Sequence, residues 1–237
     1  MSSFNQIELP LFVIGLLANT ALAVVVLRYA TRNISRFLFA FFVLAQMLWI
    51  SANYAAFHTF GSQFLWSLRA IYFFASLHSV MFFLFVYSFL RKPEEINKYI
   101  VWSCCALAFF VGLLSLSPYV IESIQINQRG DWVPVTVPGI AVWAAFIVSC
   151  LGGGFITIIR RIRQSSEEVK KQWQFLSIGL AFTFVLVMIF SFVNPIFFEN
   201  ITSARLGHIY TFPFIFFTAY AMVRHHLLNL KTVLAEL

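Results

Sequence analysis

The residues able to do chemistry in this chain are few, and they lie in apolar surroundings. Arg69, His78, Arg205 and His208 fall inside or at the rim of long hydrophobic runs, and Asn53, His58, Asn194 and Glu199 occupy similar depths in neighbouring runs. An ionisable group inside a bilayer is costly, so each is a candidate functional residue. Arg205 and His208 are three positions apart, which puts them on one face of a helix. Arg69 and His78 are nine apart and point to opposite faces. Together these residues sketch a polar outer half in an apolar bundle. The chemistry they suggest is ligand binding: an outward-opening pocket where Arg69 and Arg205 hold an anionic or carbonyl-bearing ligand. Asn53, His58, His78 and His208 complete the candidate set. The competing reading has both arginines reaching the headgroups or pairing with Glu199 or Glu8.

Other chemistries lack their residues. His225 and His226 are adjacent, cannot share a helix face, and have no carboxylate partner at suitable spacing, so no metal site is expected. Cys104, Cys105 and Cys150 all fall inside apolar runs, which argues against a disulfide framework or a cysteine zinc site. No nucleotide loop, nucleophile elbow or intramembrane carboxylate pair is present. A retinal Schiff base needs a lysine in the last span, and all five lysines lie in loops or the tail. The expectation is therefore no cofactor, no catalytic residue and no enzyme activity in this polypeptide.

The elements that must position these residues are membrane helices. The chain has 237 residues, 61% hydrophobic and 11% charged, where soluble domains carry about 25% charge. Apolar runs of about 20 residues cross a bilayer as helices. Seven are expected, at about 9–29, 37–58, 64–90, 98–117, 139–159, 165–198 and 205–223. Between the fourth and fifth, residues 119–126 and 131–137 are strand-like around a turn-like 127–130, predicting a β-hairpin that lids the bundle, with Pro134 at an edge. The fold class is an all-α seven-transmembrane bundle with that one hairpin. The membrane bundle covers 1–223, and a short amphipathic tail that leaves the membrane covers 224–237.

Charge sets the orientation. Of 16 Lys and Arg, all but Arg69, Arg129 and Arg205 fall on one side of the expected spans. That is the positive-inside bias, with the N-terminus outside, the C-terminus cytoplasmic, and added attraction to anionic lipids. The net charge of +7 is accounted for this way, and nucleic acid is not an expected partner. The first apolar run is followed by basic residues without a small-residue cleavage site, so it reads as a retained span.

Several positions look mechanical. Ala141, Ala145, Ser149 and Gly153 recur every four residues and form a small-residue face suited to close helix packing. Gly152, Gly153 and Gly154 make the same helix easy to bend, so packing and gating are both open readings. Ser165 and Glu168 have capping-box spacing at the start of span six. Asn194 and Pro195 must disturb its outer end, because Pro195 cannot donate to the Ser191 carbonyl. Leu227, Leu230, Leu234 and Leu237 are spaced as a and d positions of a heptad. They suit a paired output helix, and equally a helix lying on the membrane surface.

Three stretches resemble the N-terminal seven-transmembrane sensor region of bacterial histidine kinases. They are Lys170-Lys-Gln-Trp-Gln-Phe-Leu-Ser-Ile-Gly179, then Val193-Asn194-Pro195 with Leu206-Gly207, then Ala219-Tyr-Ala-Met-Val-Arg-His-His-Leu-Leu-Asn-Leu230. The hairpin ending at Gly139 is similar as well. The resemblance implies a sensory domain of the bacterial inner membrane, multi-pass, that passes an extracellular or intramembrane signal through helices six and seven to a cytoplasmic output. Its implied partners are membrane lipids, an unidentified small or lipophilic ligand, a second copy in a homodimer, and a kinase or other output domain in cis or trans. It raises the coiled-coil reading of the tail. Family members usually continue into such an output, whereas this chain ends at Leu237, as a sensor cut from a longer protein or a stand-alone relative. The rival readings are a small-solute transporter, for which no internal repeat is visible, and a structural membrane partner that assembles through span five.

Overall fold

The computed structural model describes residues 2–28, 34–89, 95–126, 130, 132–194, 198 and 202–225. Its elements are α1 (Ser2–Arg28), α2 (Ile34–Ala56), α3 (Ser62–Ser88), α4 (Lys98–Ser115), β1 (Ile121–Ile126), β2 (Trp132–Thr136), α5 (Gly139–Gln164), α6 (Glu167–Val187) and α7 (Phe212–His225). Helices α1 to α6 each contain a segment long and apolar enough to cross a membrane, and a shorter apolar helix follows at Ile209–Ala221. This is consistent with a seven-helix bundle.

Chain reversals fix the layout. Gly61, at φ 58°, turns the chain between α2 and α3, a conformation that costs glycine little. Asn97 caps α4 by accepting the Tyr99 N–H at 2.9 Å. β1 and β2 pair antiparallel with Ile124 opposite Pro134, and the register breaks between Ile121 and Ser123. The expected hairpin is thus present on its expected strands. At its base, a Cβ on Gly139 would overlap the Tyr119 carbonyl oxygen, so glycine lets the chain leave the hairpin and enter α5.

The core is aromatic and lies between α2, α3, α6 and α7. Phe39 meets Phe85 at 5.1 Å, Phe42 meets Phe214 at 5.2 Å, and Trp173 meets Phe89 edge-on at 4.7 Å between ring centroids. In lipid, such contacts hold helices together by packing rather than by escape from water. Glycines allow the closest approaches. A Cβ on Gly179 would come within 2.8 Å of the Phe217 Cβ and 3.1 Å of the Pro213 carbonyl oxygen, which draws α6 and α7 together.

Four local expectations need correction. Span seven is not one helix from residue 205: Thr202–Leu206 and Ile209–Thr211 are separate 3-10 turns, and the α-helix begins at Phe212. Pro213 suits a first helical turn, where its missing N–H is not needed, and the Phe214 N–H is accepted by Thr183 Oγ1 on α6 at 3.1 Å. Arg205 and His208 therefore lie in broken backbone ahead of α7, not on a shared helix face. Span six is α-helical only to Val187, after which Met188–Val193 widens into a π-helix. Ser165 is not the helix cap: Ser166 is the N-cap of α6, and the Ser165 hydroxyl donates to the Arg161 carbonyl at 2.7 Å. Finally, the small-residue face of α5 is not packed as a unit. Ala141, Ala145 and Ser149 are exposed, and only Gly153 of that row turns inward, against Phe83.

Candidate functional site

A cavity of about 180 Å³ lies inside the bundle. It is bounded by α2, α3, α5, α6, the hairpin and the 3-10 turns before α7. On α3 its wall runs from Phe64 to Phe82, a rise of about 27 Å at 1.5 Å per residue. It is therefore long and narrow. Trp132 and Pro134 of β2 line the end nearer the hairpin, and Phe155, Leu180 and Phe184 line the far end.

The wall is made of aromatic rings with scattered polar groups. Trp49 comes from α2 and Trp143 from α5. Trp143 is held in place by donating Nε1–H to the Tyr72 carbonyl at 3.1 Å and to Ser76 Oγ at 3.0 Å. Gln46 is oriented from behind, donating to Asn19 Oδ1 on α1 at 3.3 Å, while Asn19 donates to the Gly15 carbonyl at 2.9 Å. His78 stacks on Phe42, with centroids 4.6 Å apart and planes 24° apart. Among the described residues no Asp, Glu, Lys or Arg lines the cavity. Asn53 Oδ1, His78 Nε2 and Ser191 Oγ, all on wall residues, are buried without a hydrogen-bond partner among the described residues. A buried polar atom left unpaired costs about 1–3 kcal/mol, so three on one wall stand out.

The residues singled out by the sequence divide into two groups. Asn53 and His78 line the cavity; Arg69, His58, Arg205 and His208 do not. Arg69 is buried and turns to the hairpin, where Nη2 donates to the Ile121 carbonyl at 2.8 Å and the Glu122 carbonyl at 3.4 Å. Its guanidinium also lies 5.2 Å from the Trp66 ring. Those carbonyls sit where the strand register breaks, so Arg69 takes acceptors that the ladder leaves over. Arg205 donates Nη2–H to Glu8 Oε2 at 3.0 Å, with Glu8 almost fully buried, and so ties the segment before α7 to α1. His208 is buried edge-on to Phe12, and His58 is exposed and stacks on Tyr54 at 4.0 Å. The two arginines thus act on different parts of the frame and do not converge on one ligand.

The mechanical candidates are placed as follows. Helix α5 runs unbroken through Gly152, Gly153 and Gly154. A Cβ on Gly154 would overlap the Phe82 ring, while Gly152 has nothing near. Asn194 Nδ2 donates to Ser203 Oγ at 3.2 Å, and Ser203 Oγ donates to the Phe190 carbonyl at 3.0 Å, linking the π-helix to the following turns. Pro195, Glu199, His226 and the tail leucines Leu227, Leu230, Leu234 and Leu237 lie outside the described residues.

Sequence reasoning missed Trp132, Trp143, Thr183 and Ser191 as wall residues. In helices apolar on every side, no periodicity separates a cavity face from a lipid face. No cluster of His, Cys, Asp or Glu able to hold a metal occurs among the described residues.

Comparison with curated proteins and with solved structures finds no match. A family model described as the N-terminal 7TM region of histidine kinase matches residues 11–231, nearly the whole bundle. With six long apolar helices, a shorter seventh, and the family match running through all of them, the chain belongs to the histidine-kinase N-terminal 7TM family, membrane sensory domains of the inner membrane.

Proposed function

We propose that the cavity is the input site of this sensory domain and that α6 and α7 carry its state to a cytoplasmic output. The observation that carries the reading is the composition of the wall. Leu180, Thr183, Phe184 and Val187 of α6, with Met188 and Ser191 of its π-helical extension, form one side. An occupant would press directly on the helix that is most closely engaged with α7. That engagement is tight at Gly179 and is pinned by the Thr183–Phe214 hydrogen bond. A π-helix is an uneconomical way to continue an α-helix and recurs at functional sites, which supports Met188–Val193 as the yielding segment. An occupant can shift this equilibrium only by fitting one arrangement better than the other.

The basic residues at the far end from the hairpin support an orientation with the hairpin outside and α7 leaving toward the cytoplasm. There the tail leucines would pair with a second copy and pass the movement to a kinase domain in cis or trans. In this arrangement Arg69 and Arg205 hold the lid and the first helix, and Asn53 and His78 face the signal.

The test is a fusion of the full chain to a histidine-kinase core in nanodiscs, with autophosphorylation followed with and without a lipid extract of the source membrane. Ala75→Phe places a ring in the cavity. It should fix autophosphorylation at one level and remove the response to the extract. Wild-type basal level and response in a folded Ala75→Phe protein would refute the reading.

A further inference from the structure

The wall also constrains the chemical class of the occupant. We infer that the cavity takes an uncharged, single-chain lipophile with one hydrogen-bonding head, seated with the head at Asn53 and Ser191 and the chain running toward Phe82. The inference rests on the reading of the cavity as the input site.

Charge is excluded by what the wall lacks. Among the described residues it offers no Asp, Glu, Lys or Arg to pair with a charged head, and burying a charge without an ionic partner is costly. The two arginines that could have met an anion are spent on the hairpin carbonyls and on Glu8. Shape selects a chain. The cavity spans five turns of α3, yet its volume is only about 180 Å³, so its cross-section is narrow. A compact solute of that size would leave most of the length empty.

The head position follows from the unpaired polar atoms. Phe42 stacks on His78, and Asn53 lies eleven residues further along α2, about 16 Å nearer the hairpin end. Ser191 lies near the end of α6 that faces the same way. Asn53 Oδ1 accepts only; Ser191 Oγ donates or accepts on rotation. A hydroxyl or similar neutral head would satisfy both. Between them and Phe82 the wall is chiefly Phe, Trp and aliphatic side chains, interrupted by Gln46, His78 and Ser79, and His78 Nε2 stays unpaired beside the chain.

The test uses nanodiscs carrying the full chain, equilibrated separately with 1-dodecanol, dodecane, dodecanoate and dodecylammonium. Native mass spectrometry counts the saturable adduct. Dodecanol should bind about tenfold more tightly than dodecane and more tightly than either ion. Asn53→Leu should reduce that preference about tenfold while leaving dodecane unchanged, and the milder Ser191→Ala should reduce it several-fold if Asn53→Leu fails to fold. Equal binding of dodecanol and dodecane, or tighter binding of an ion, overturns the inference. If an ion binds tightly and Ala75→Phe abolishes that binding, the cavity remains the input site and only the ligand class is wrong. If no probe gives a saturable adduct, the inference fails, and an unaltered Ala75→Phe fusion would show that the cavity reading fails with it.

Discussion

Replacing Arg69 should release the hairpin from the bundle. A two-stranded hairpin is marginal by itself, so β1 and β2 depend on what they dock against. Arg69 supplies a charged donor to the Ile121 carbonyl at 2.8 Å and a weaker one to the Glu122 carbonyl at 3.4 Å. A hydrogen bond to a charged group contributes about 1.5–3 kcal/mol. The Trp66 contact adds about 0.5–1 kcal/mol. Arg69→Leu should therefore weaken docking by about 2–4 kcal/mol, with Ile121 left as a buried, unpaired acceptor. Hydrogen–deuterium exchange reads this directly. Amides of Ile121–Ile126 and of Trp132–Thr136, Pro134 excepted, should exchange at least about thirtyfold faster, since about 1.4 kcal/mol is a factor of ten, while those of α2 and α3 stay protected. Arg69→Lys should fall between, because it keeps the charge but loses the planar fork. Unchanged hairpin exchange in Arg69→Leu would refute the clamp.

Three further outcomes follow from the same contacts. A double-mutant cycle on Glu8→Gln and Arg205→Gln should give a coupling of about 1–3 kcal/mol in a detergent unfolding titration, because Glu8 is buried while Arg205 remains partly exposed; additive singles would sink the pairing. Gly139→Ala should cost about 1–3 kcal/mol in the same titration, since the new methyl meets backbone rather than a movable side chain, and a neutral result would contradict the crossing at Tyr119. Gly154→Leu should be more damaging than Gly152→Leu, since only Gly154 abuts Phe82; equal effects in thermal unfolding would show that the helix tolerates bending there.

Much of the frame was legible in the sequence for simple reasons. Long apolar runs bounded by basic residues can only be helices in lipid, and the strand-like residues flanking Gly130 made the hairpin readable. The ends of α6 and α7 were not readable. Asn194 and Pro195 advertise a disturbance, but a π-turn that starts at Met188 and two 3-10 turns depend on tertiary contacts such as Ser203 with Phe190. The site was half legible. Asn53 and His78 are conspicuous as polar residues in apolar helices, and both line the cavity. Arg69 was equally conspicuous, yet its partner is a carbonyl exposed by a register break, which no side-chain pattern encodes.

The tryptophans are unevenly distributed, and this gives the protein a built-in optical readout. Of six, Trp49, Trp132 and Trp143 border the cavity, Trp66 and Trp102 are exposed at the bundle surface, and Trp173 is buried in the core beside Phe89. Filling the cavity changes the surroundings of the first three without touching the others. Emission from a protein retaining only Trp143 would then track occupancy, and one retaining only Trp173 would track the packing of α6 near its start. The two signals together would show in a single sample whether events at the wall reach the other end of the helix.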